Sequence, residues 1–134
     1  MPITERELVE KAKEAMSLSY SPYSNFPVGA AILCDDDTVY LGANIENSSY
    51  PCGICAERNA IYHAMMEGKT KDDFVALAII TDTDSIASPC GMCRQVISEL
   101  FPESGTILLA NTKGDIRSTT IEELLPFAFN GEEL

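Results

Sequence analysis

The sequence has 134 residues, 46% of them hydrophobic and 22% charged, and it carries a formal net charge of −12. This length and composition suit one domain with a buried core, and we expect residues 1–134 to form a single domain. The acidic balance argues against nucleic acids and anionic membranes as partners, because both require a surface rich in Lys and Arg. A small uncharged ligand is compatible with this charge.

Hydrophobic periodicity and turn residues divide the chain into elements in the order α-β-β-α-β-α-β-β-α. Capping boxes that begin at Thr4 and Thr120 predict the starts of the first and last helices. The acidic turn at residues 35–37 and the short connection at residues 111–115 each predict an antiparallel pair of strands. Helices are expected over residues 5–18, 56–67, 91–101 and 121–125, and strands over residues 28–34, 38–43, 74–81, 106–110 and 116–118.

The predicted strands are apolar on both faces, which is typical of a sheet covered by helices on each side. The expected fold is therefore an α/β protein, a three-layer α/β/α sandwich around a mixed five-stranded sheet. The irregular segment 19–27 joins the first helix to the first strand and is apolar for a loop. We expect it to cover either the functional site or an interface.

Four of the five cysteines stand in two Cys-x-x-Cys pairs, Cys52 with Cys55 and Cys90 with Cys93. No apolar run reaches the length of a membrane span, and the first residues lack the basic and apolar regions of a signal peptide. In a chain without a secretion signal, such pairs are typical of metal or redox chemistry rather than of structural disulfides. We therefore expect a cytoplasmic protein with no membrane partner.

Cys55, Cys90 and Cys93 offer three thiolates near two predicted helix starts, where backbone amides and helix dipoles favour the ionised form. Three soft ligands suit Zn²⁺, and a zinc ion with three protein ligands keeps its fourth position open for water. Glu57 stands next to this cluster and can move protons for that water. A Cys two residues before a Glu, followed by Pro-Cys-x-x-Cys, resembles the pattern of the zinc deaminases.

Cys55 and Glu57 are two residues apart and do not share a face of a regular helix. Both can reach one metal ion only when Cys55 caps the helix and Glu57 lies in its first turn, which predicts the helix start at this point. A zinc ion with three thiolates has a net charge of about −1 and is a weak Lewis acid unless donors withdraw charge from the sulfurs. Arg58, Arg94 and Gln95 are the candidate donors, and Arg58 is favoured in this role over an exposed arginine.

The same cysteines allow two other interpretations. The two Cys-x-x-Cys pairs together would form a closed four-thiolate zinc site, which is structural and not catalytic. Alternatively, a Cys-x-x-Cys pair at a helix start suits thiol–disulfide exchange. Neither interpretation explains Glu57 or the polar residues Asn44 and Glu46, so we favour the catalytic zinc site and treat Cys52 as a free thiol.

Five segments carry a family pattern: Phe26-Pro27-Val28-Gly29-Ala30, Asn44-Ile45-Glu46-Asn47, Cys55-Ala56-Glu57-Arg58, Pro89-Cys90-Gly91-Met92-Cys93-Arg94-Gln95 and Leu124-Leu125-Pro126-Phe127-Ala128-Phe129. With these segments the chain resembles the small cytidine deaminases of the homotetrameric type over essentially its whole length. The zinc motif alone is shared by a broad superfamily. Cys rather than His at position 55, the Asn-x-Glu segment and the antiparallel final strands favour its nucleoside deaminases.

The resemblance implies hydrolytic deamination of cytidine and deoxycytidine to uridine and deoxyuridine plus ammonia, a reaction of pyrimidine salvage. It also implies one zinc ion per chain, held by Cys55, Cys90 and Cys93, and a homotetramer with its sites at subunit interfaces. Glu57 would take a proton from the zinc-bound water, deliver it to N3 of cytosine and then protonate the amine that leaves C4. Such a carboxyl group needs a pKa near neutrality.

The resemblance further implies which side chains hold the nucleoside. Asn44 and Glu46 would hydrogen-bond the ribose 3′-hydroxyl, which agrees with residues i and i+2 at a strand end pointing the same way. Phe26 would stack near the pyrimidine. Phe129 would reach into a neighbouring subunit's site.

Several assignments complete the prediction. Arg58 and Gln95 are the predicted donors to the thiolates, and Ala56 is a further predicted substrate contact. The Leu-Leu-Pro-x-Ala-Phe spacing favours Phe129 over Phe127 as the residue that enters the neighbouring site. The alternative substrate class is a modified nucleoside such as blasticidin S, because deaminases of that class share these motifs.

Overall fold

The computed structural model describes residues 3–129 and residue 131, and within them the α-helices and strands follow the predicted order. None of the described helices is both long enough and apolar enough to cross a membrane. Short 3-10 turns lie at Tyr50–Cys52 and Lys71–Asp73. The helices are α1 (Glu5–Met16), α2 (Ala56–Met66), α3 (Gly91–Leu100) and α4 (Ile121–Leu124), and the strands are β1 (Val28–Cys34), β2 (Val39–Ala43), β3 (Phe74–Thr81), β4 (Thr106–Asn111) and β5 (Ile116–Thr119).

The five strands form one mixed sheet in the order β2-β1-β3-β4-β5. β1 pairs antiparallel with both β2 and β3, β3 pairs parallel with β4, and β4 pairs antiparallel with β5. Both predicted antiparallel pairs are therefore confirmed. α3 connects the two parallel strands, so it begins at the edge of the sheet where β3 ends, the position at which α/β folds bind ligands.

Helices cover both faces of the sheet. Successive residues of β1 alternate between two buried clusters, which places these clusters on opposite faces. α1 covers one face through Leu8, Val9 and Ala12, and the other helices cover the opposite face, where Ile61 of α2 and Ile97 of α3 are fully buried. The predicted α/β/α sandwich with a mixed five-stranded sheet is confirmed.

Two glycines allow helices to approach the sheet closely. A Cβ atom at Gly29 would lie 2.0 Å from the Ala12 carbonyl oxygen, and a Cβ atom at Gly42 would lie 2.3 Å from the Ala60 amide nitrogen. Neither position has room for a side chain, so α1 rests on β1 and α2 rests on β2 with backbone in contact. This packing fixes the position of α2, whose N-terminal capping residue is Cys55.

α1 begins as predicted and ends two residues early. The Glu7 amide donates to Thr4 Oγ1 at 3.1 Å and the Glu7 side chain accepts from the Thr4 amide, which completes the predicted capping box. At the other end, the Ser17 hydroxyl and the Ser17 amide both donate to the Glu14 carbonyl, at 2.7 and 3.2 Å. In a longer helix, the Glu14 carbonyl would accept a hydrogen bond from a later backbone amide. Here the two Ser17 groups satisfy it instead.

α4 departs from the sequence prediction at its start. The Glu123 amide donates to Thr120 Oγ1 at 3.3 Å, as in a capping box. Among the described residues, however, the Glu123 carboxylate accepts from the Thr120 hydroxyl at 3.4 Å and not from the Thr120 amide. A capping box requires two hydrogen bonds between these residues. One of them forms and the other does not, so the prediction of a second complete capping box is wrong.

Candidate active site

Three cysteine sulfurs meet where two helices begin. Cys55 caps α2 and Cys90 caps α3, while Cys93 lies buried in the first turn of α3. The three sulfur atoms lie within 4.8 Å of one another, and Cys55 Sγ is 3.8 Å from Cys90 Sγ. Sulfurs held tetrahedrally about 2.3 Å from one zinc ion stand about 3.8 Å apart. The cluster therefore has the dimensions of a zinc site with three protein ligands and one open position.

Cys52 lies outside this cluster. Among the described residues, the group able to hold a metal ion comprises Cys55, Cys90 and Cys93. Cys52 is a free and exposed thiol in the 3-10 turn before α2. A closed four-thiolate site is consequently not the arrangement that the chain forms.

The electrostatics of the cluster favour an ionised Cys55. Its pKa is lowered to about 5, because the Cys93 thiol donates a hydrogen bond to its sulfur and Arg58 Nη2 donates another at 3.4 Å. The pKa of Cys93 is raised, because its proton is held by the Cys55 sulfur and because the thiol is buried. Arg58 thus lies where a donor that withdraws charge from the thiolates is predicted.

Glu57 is buried in the first turn of α2, with 5% of its surface exposed. Burial raises the pKa of its carboxyl group to about 7, and the negative charge of Cys55 acts in the same direction. A carboxyl group with this pKa can both accept and release a proton near neutral pH. Glu57 therefore has the protonation behaviour that a general acid and base requires.

The backbone of Cys55 explains how it and Glu57 reach the same cavity. Cys55 has extended dihedral angles, φ −78° and ψ 157°, and helical geometry begins only at Ala56. Its side chain therefore does not follow the helical spacing that would separate residues i and i+2. Cys55, Ala56 and Glu57 all line one cavity of about 360 Å³.

This cavity brings together most of the predicted substrate-binding residues. Phe26, Asn44 and Glu46 line it together with Ala56 and Glu57. A second cavity of about 430 Å³ shares Asn44, Glu46 and Cys55 with the first and extends toward Tyr23, Tyr50 and Arg58. Ser24, Thr81, Ala87 and Ser88 also line the first cavity, and sequence patterns did not single them out. Of these, Ser88 alone carried a signal, since it stands two residues before Cys90.

Asn44 follows the end of β2 and holds the neighbouring loop. Its Oδ1 atom accepts from the Val28 amide at 2.9 Å and from the Ser19 hydroxyl at 2.5 Å. Its Nδ2 atom donates to the Phe26 carbonyl at 2.9 Å. Among the described residues, both lone pairs of the amide oxygen are therefore used, and one N–H has no partner.

Glu46 lies two residues further along an extended segment, which is paired through Ile45 with the backbone of Tyr20. Its Oε1 atom accepts from the amides of Tyr23 and Ser24 at 3.0 and 3.1 Å, and its Oε2 atom accepts from the Ser24 hydroxyl. The Ser24 hydroxyl and both amides lower the pKa of Glu46, so the group is an anion at neutral pH. Oε2 keeps one acceptor site, because a carboxylate oxygen can accept two hydrogen bonds.

Among the described residues, the Gln95 side chain forms no hydrogen bond with the thiolates. Its Nε2 atom donates instead to the Phe129 carbonyl at 3.1 Å. Gln95 follows Cys93 by two residues, which turns it about 200° around the α3 axis and away from the cysteine. The predicted hydrogen bond from Gln95 to the cluster is therefore absent from the described structure.

Arg94 supports the metal site through the backbone rather than through sulfur. Its guanidinium donates to the Pro89 carbonyl at 2.9 Å, to the Ser88 hydroxyl at 2.8 Å and to the Leu124 carbonyl at 2.7 Å. Ser88 and Pro89 lead directly into Cys90, and Leu124 ends α4. Arg94 thus fixes the segment before a metal ligand and ties it to the C-terminal part of the chain.

Phe129 lies away from the cavity of its own chain. It is 52% exposed and lines a separate depression with Phe127 and Ile121. Phe127 is fully exposed and has a left-handed backbone, with φ 56°. A contribution of Phe129 to a site can therefore come only from a rearrangement of the C-terminal segment or from another chain.

Known proteins resemble this chain in sequence and in fold. The family model of the cytidine and deoxycytidylate deaminase zinc-binding region matches residues 2–107. The chain belongs to the cytidine and deoxycytidylate deaminase family. It is 49% identical to a cytidine deaminase of Sporosarcina psychrophila, over 96% of this chain and 93% of the relative. It is 47% identical to that of Halalkalibacterium halodurans, over 95% of each.

A crystal structure of cytidine deaminase from Burkholderia pseudomallei superposes with a TM-score of 0.92 at 43% identity, covering 95% of this chain and 100% of that one. The two chains therefore share the arrangement of helices and strands that carries the cysteine cluster. As a member of this family with a cluster of matching dimensions, the protein is a zinc enzyme.

Proposed function

We propose that the protein is a cytidine deaminase, which hydrolyses cytidine and deoxycytidine to uridine and deoxyuridine and releases ammonia. The observation that carries this proposal is the cluster of Cys55, Cys90 and Cys93 beside the buried Glu57, in a cavity of about 360 Å³. A nucleoside base can be enclosed by a cavity of this volume. The two relatives at 49% and 47% identity, which match nearly the whole chain, are cytidine deaminases.

The chemistry divides between the metal and the carboxyl group. A zinc ion held by Cys55, Cys90 and Cys93 would supply a Lewis acid, which would lower the pKa of a water molecule and make it a nucleophile for C4. Glu57 accepts the first proton of this water and transfers it to N3 of cytosine. Glu57 then carries the second proton to the departing amino group, which leaves as ammonia while a carbonyl forms at C4. Both transfers suit a carboxyl group with a pKa of about 7.

The free hydrogen-bonding capacity of the cavity wall fits one sugar hydroxyl. Within the described part of the chain, Asn44 has one unused N–H, and Glu46 has one unused acceptor site on Oε2. A hydroxyl group can accept from the first and donate to the second at the same time. We assign these residues to the ribose 3′-hydroxyl, and we assign Phe26 and Ala56 to the wall next to the pyrimidine.

The charges around the cavities favour an uncharged nucleoside over a nucleotide. Among the described residues that line the two cavities, Arg58 is the single basic side chain, and its guanidinium is bound to Cys55. Glu46 adds a negative charge at the sugar end. A 5′-phosphate would therefore meet repulsion without a cationic partner. Nucleic acid is not a proposed substrate for the same reason.

We also propose that the protein is a homotetramer with its sites at subunit interfaces. Support comes from large apolar side chains that a single chain leaves in solvent, including Met66 at 86% exposure and Tyr50 at 80%. Tyr50 lines the larger cavity, and Phe129 is available to reach a second chain. Native mass spectrometry is expected to give the mass of four chains, and Phe129→Ala is expected to raise KM more than Phe127→Ala does. A monomer, or equal effects of the two substitutions, would contradict this assembly.

The remaining proposals concern the setting of the reaction. The described cysteines are free thiols, and thiolate ligands must stay reduced, so we place the protein in the cytoplasm. We assign the protein to pyrimidine salvage, because the proposed reaction converts the cytosine base of a nucleoside to uracil. The whole chain, residues 1–134, is proposed to act as one domain around its single sheet.

The test of the function is the loss of cytidine absorbance on purified protein, with zinc content determined on the same sample. We expect turnover of cytidine and of deoxycytidine at about one zinc ion per chain. Zinc at that ratio without turnover of either substrate would contradict the proposal. A parallel assay with blasticidin S would then decide whether a modified nucleoside is the substrate.

A further inference from the structure

The hydroxyl group of Ser24 links two residues that line the smaller cavity, Glu46 and Phe26. It donates to Glu46 Oε2, and it accepts from the Phe26 amide at 3.0 Å. Ser24 itself lines both cavities. One hydroxyl therefore connects the carboxylate proposed to bind the sugar with the backbone of the phenylalanine proposed to lie against the base.

We propose that Ser24 is a positioning residue for nucleoside recognition, whose hydroxyl aims the free acceptor site of Glu46 at the sugar and holds the Phe26 backbone relative to it. This inference rests on the proposed assignment of Glu46 to the ribose 3′-hydroxyl. No substrate contact is required of Ser24 itself. Its effect passes through Glu46.

The bonds around Glu46 explain why the hydroxyl matters. Two backbone amides, those of Tyr23 and Ser24, bind Oε1. Among the described residues, the Ser24 hydroxyl is the group that binds Oε2, the oxygen left with a free acceptor site. Without that hydroxyl, Oε2 loses this partner and binds water in its place, so a substrate hydroxyl has to compete with water for Oε2. Orientation before binding is a main source of affinity at such a site.

The neighbouring Asn44 depends less on Ser24. Its side chain bonds to the backbone of Phe26 and Val28 and to the Ser19 hydroxyl. Loss of the Ser24 hydroxyl should therefore leave the Asn44 donor in place. The consequence is specific, since a substrate that does not use Glu46 should be little affected by a substitution of Ser24.

The experiment compares Ser24→Ala, Ser24→Thr and the control Ser21→Ala with the wild type. Ser21 belongs to the same loop, but its hydroxyl oxygen lies 3.1 Å from that of Ser19 and forms no hydrogen bond with Glu46 or Phe26 in the described structure. Substrates are cytidine, deoxycytidine and 3′-deoxycytidine, which lacks the 3′-hydroxyl. Zinc content and melting temperature are measured on every variant, which confirms that each is folded and loaded.

For Ser24→Ala we expect kcat/KM to fall about tenfold to a hundredfold on cytidine and deoxycytidine, mostly through KM, because a hydrogen bond to a charged group is lost. On 3′-deoxycytidine the fall should stay below about threefold, and Ser24→Thr should restore most of the loss. Ser21→Ala should match the wild type.

Equal losses on all three substrates would overturn the inference and make Ser24 a structural loop residue. A wild type that processes cytidine and 3′-deoxycytidine equally well would overturn the sugar assignment of Glu46, and the role of Ser24 with it. Wild-type protein without cytidine turnover would instead refute the proposed function itself. The three failures are therefore distinguishable.

Discussion

The two ends of the cavity are built in different ways. At the thiol end, Cys55, Glu57 and Cys93 stand on the first turns of helices whose next turns are anchored in the core by Ala60 and Ile97. At the sugar end, the side chains lie on irregular segments, residues 19–27 and 44–54, which polar side-chain bonds hold together. The difference teaches that the core positions the reacting groups, whereas hydrogen bonds at the surface position the groups that recognise the substrate.

The loss of one thiolate should have the largest effect, because it removes a metal ligand from the thiol end of the cavity, which the core positions. Cys93→Ser is expected to abolish zinc retention and turnover and to lower the melting temperature, since metal binding contributes directly to folding. Zinc content, turnover and thermal unfolding measure these changes. The matched control is Cys52→Ser, which removes an exposed thiol outside the cluster and should keep zinc and activity. Zinc loss in the control would instead support the alternative of a four-thiolate site that includes Cys52.

The Glu57→Gln substitution should separate proton transfer from metal binding at the thiol end of the cavity. We expect turnover to fall by at least about a thousandfold, because the amide can no longer accept and return a proton. Zinc content and fold should stay unchanged, as measured on the same sample. Glu67→Gln, at the exposed C-terminal cap of the same helix, should retain full turnover. Near-normal activity of the Glu57 variant would remove it from the proton transfer.

Arg94→Ala should show how far the thiol end depends on a polar bond. The substitution leaves the carbonyls of Pro89 and Leu124 without their guanidinium donor. We expect the free energy of unfolding to fall by about 2 kcal/mol and chelators to remove zinc faster. Arg117→Ala, on an exposed position of β5, should change stability by less than about 0.5 kcal/mol. Equal effects of the two substitutions would show that Arg94 does not support the metal site.

The smallest effect on turnover is expected for an ion pair outside the cavity. This pair serves as a reference for the effects at the two ends of the cavity. Lys69 donates to Asp36 at 2.5 Å, and this bond, together with weaker contributions from hydrogen bonds of Thr38, lowers the pKa of Asp36 from 3.8 to about 2. Because the folded pKa is depressed, the contribution to stability is present above about pH 4 and is lost as the pH falls through 2. Lys69→Met should return the Asp36 titration, followed by NMR, toward 3.8 without any change in turnover. An unchanged Asp36 midpoint would contradict the pairing.

The sequence predicted the parts that depend on local patterns. β1 and β3 have the predicted bounds, because each is an apolar run closed by polar turn residues. The relation of Cys55 to Glu57 followed from helix geometry alone, since two residues at a helix start can share a target only if the first is the cap. Such features need no information from distant parts of the chain.

Features that depend on long-range contacts escaped the sequence. The Gln95 side chain binds the Phe129 carbonyl, a partner far along the chain that no spacing rule indicates. Ser24 is one of several serines in its loop, and its bond to Glu46 joins positions 22 residues apart in the chain, which no local pattern indicates. The half-formed capping box at Thr120 shows the same limit on a smaller scale, because the motif permits a bond that the local backbone does not make.

The missing side chain at position 42 has a consequence for the spacing of the thiolates. α2 is in backbone contact with β2 at Gly42 and carries Cys55 at its start, so a side chain at position 42 would push this sulfur outward from the sheet. Close packing leaves no room to absorb such a displacement, so the absence of one methyl group on a strand keeps Cys55 within reach of Cys90 and Cys93.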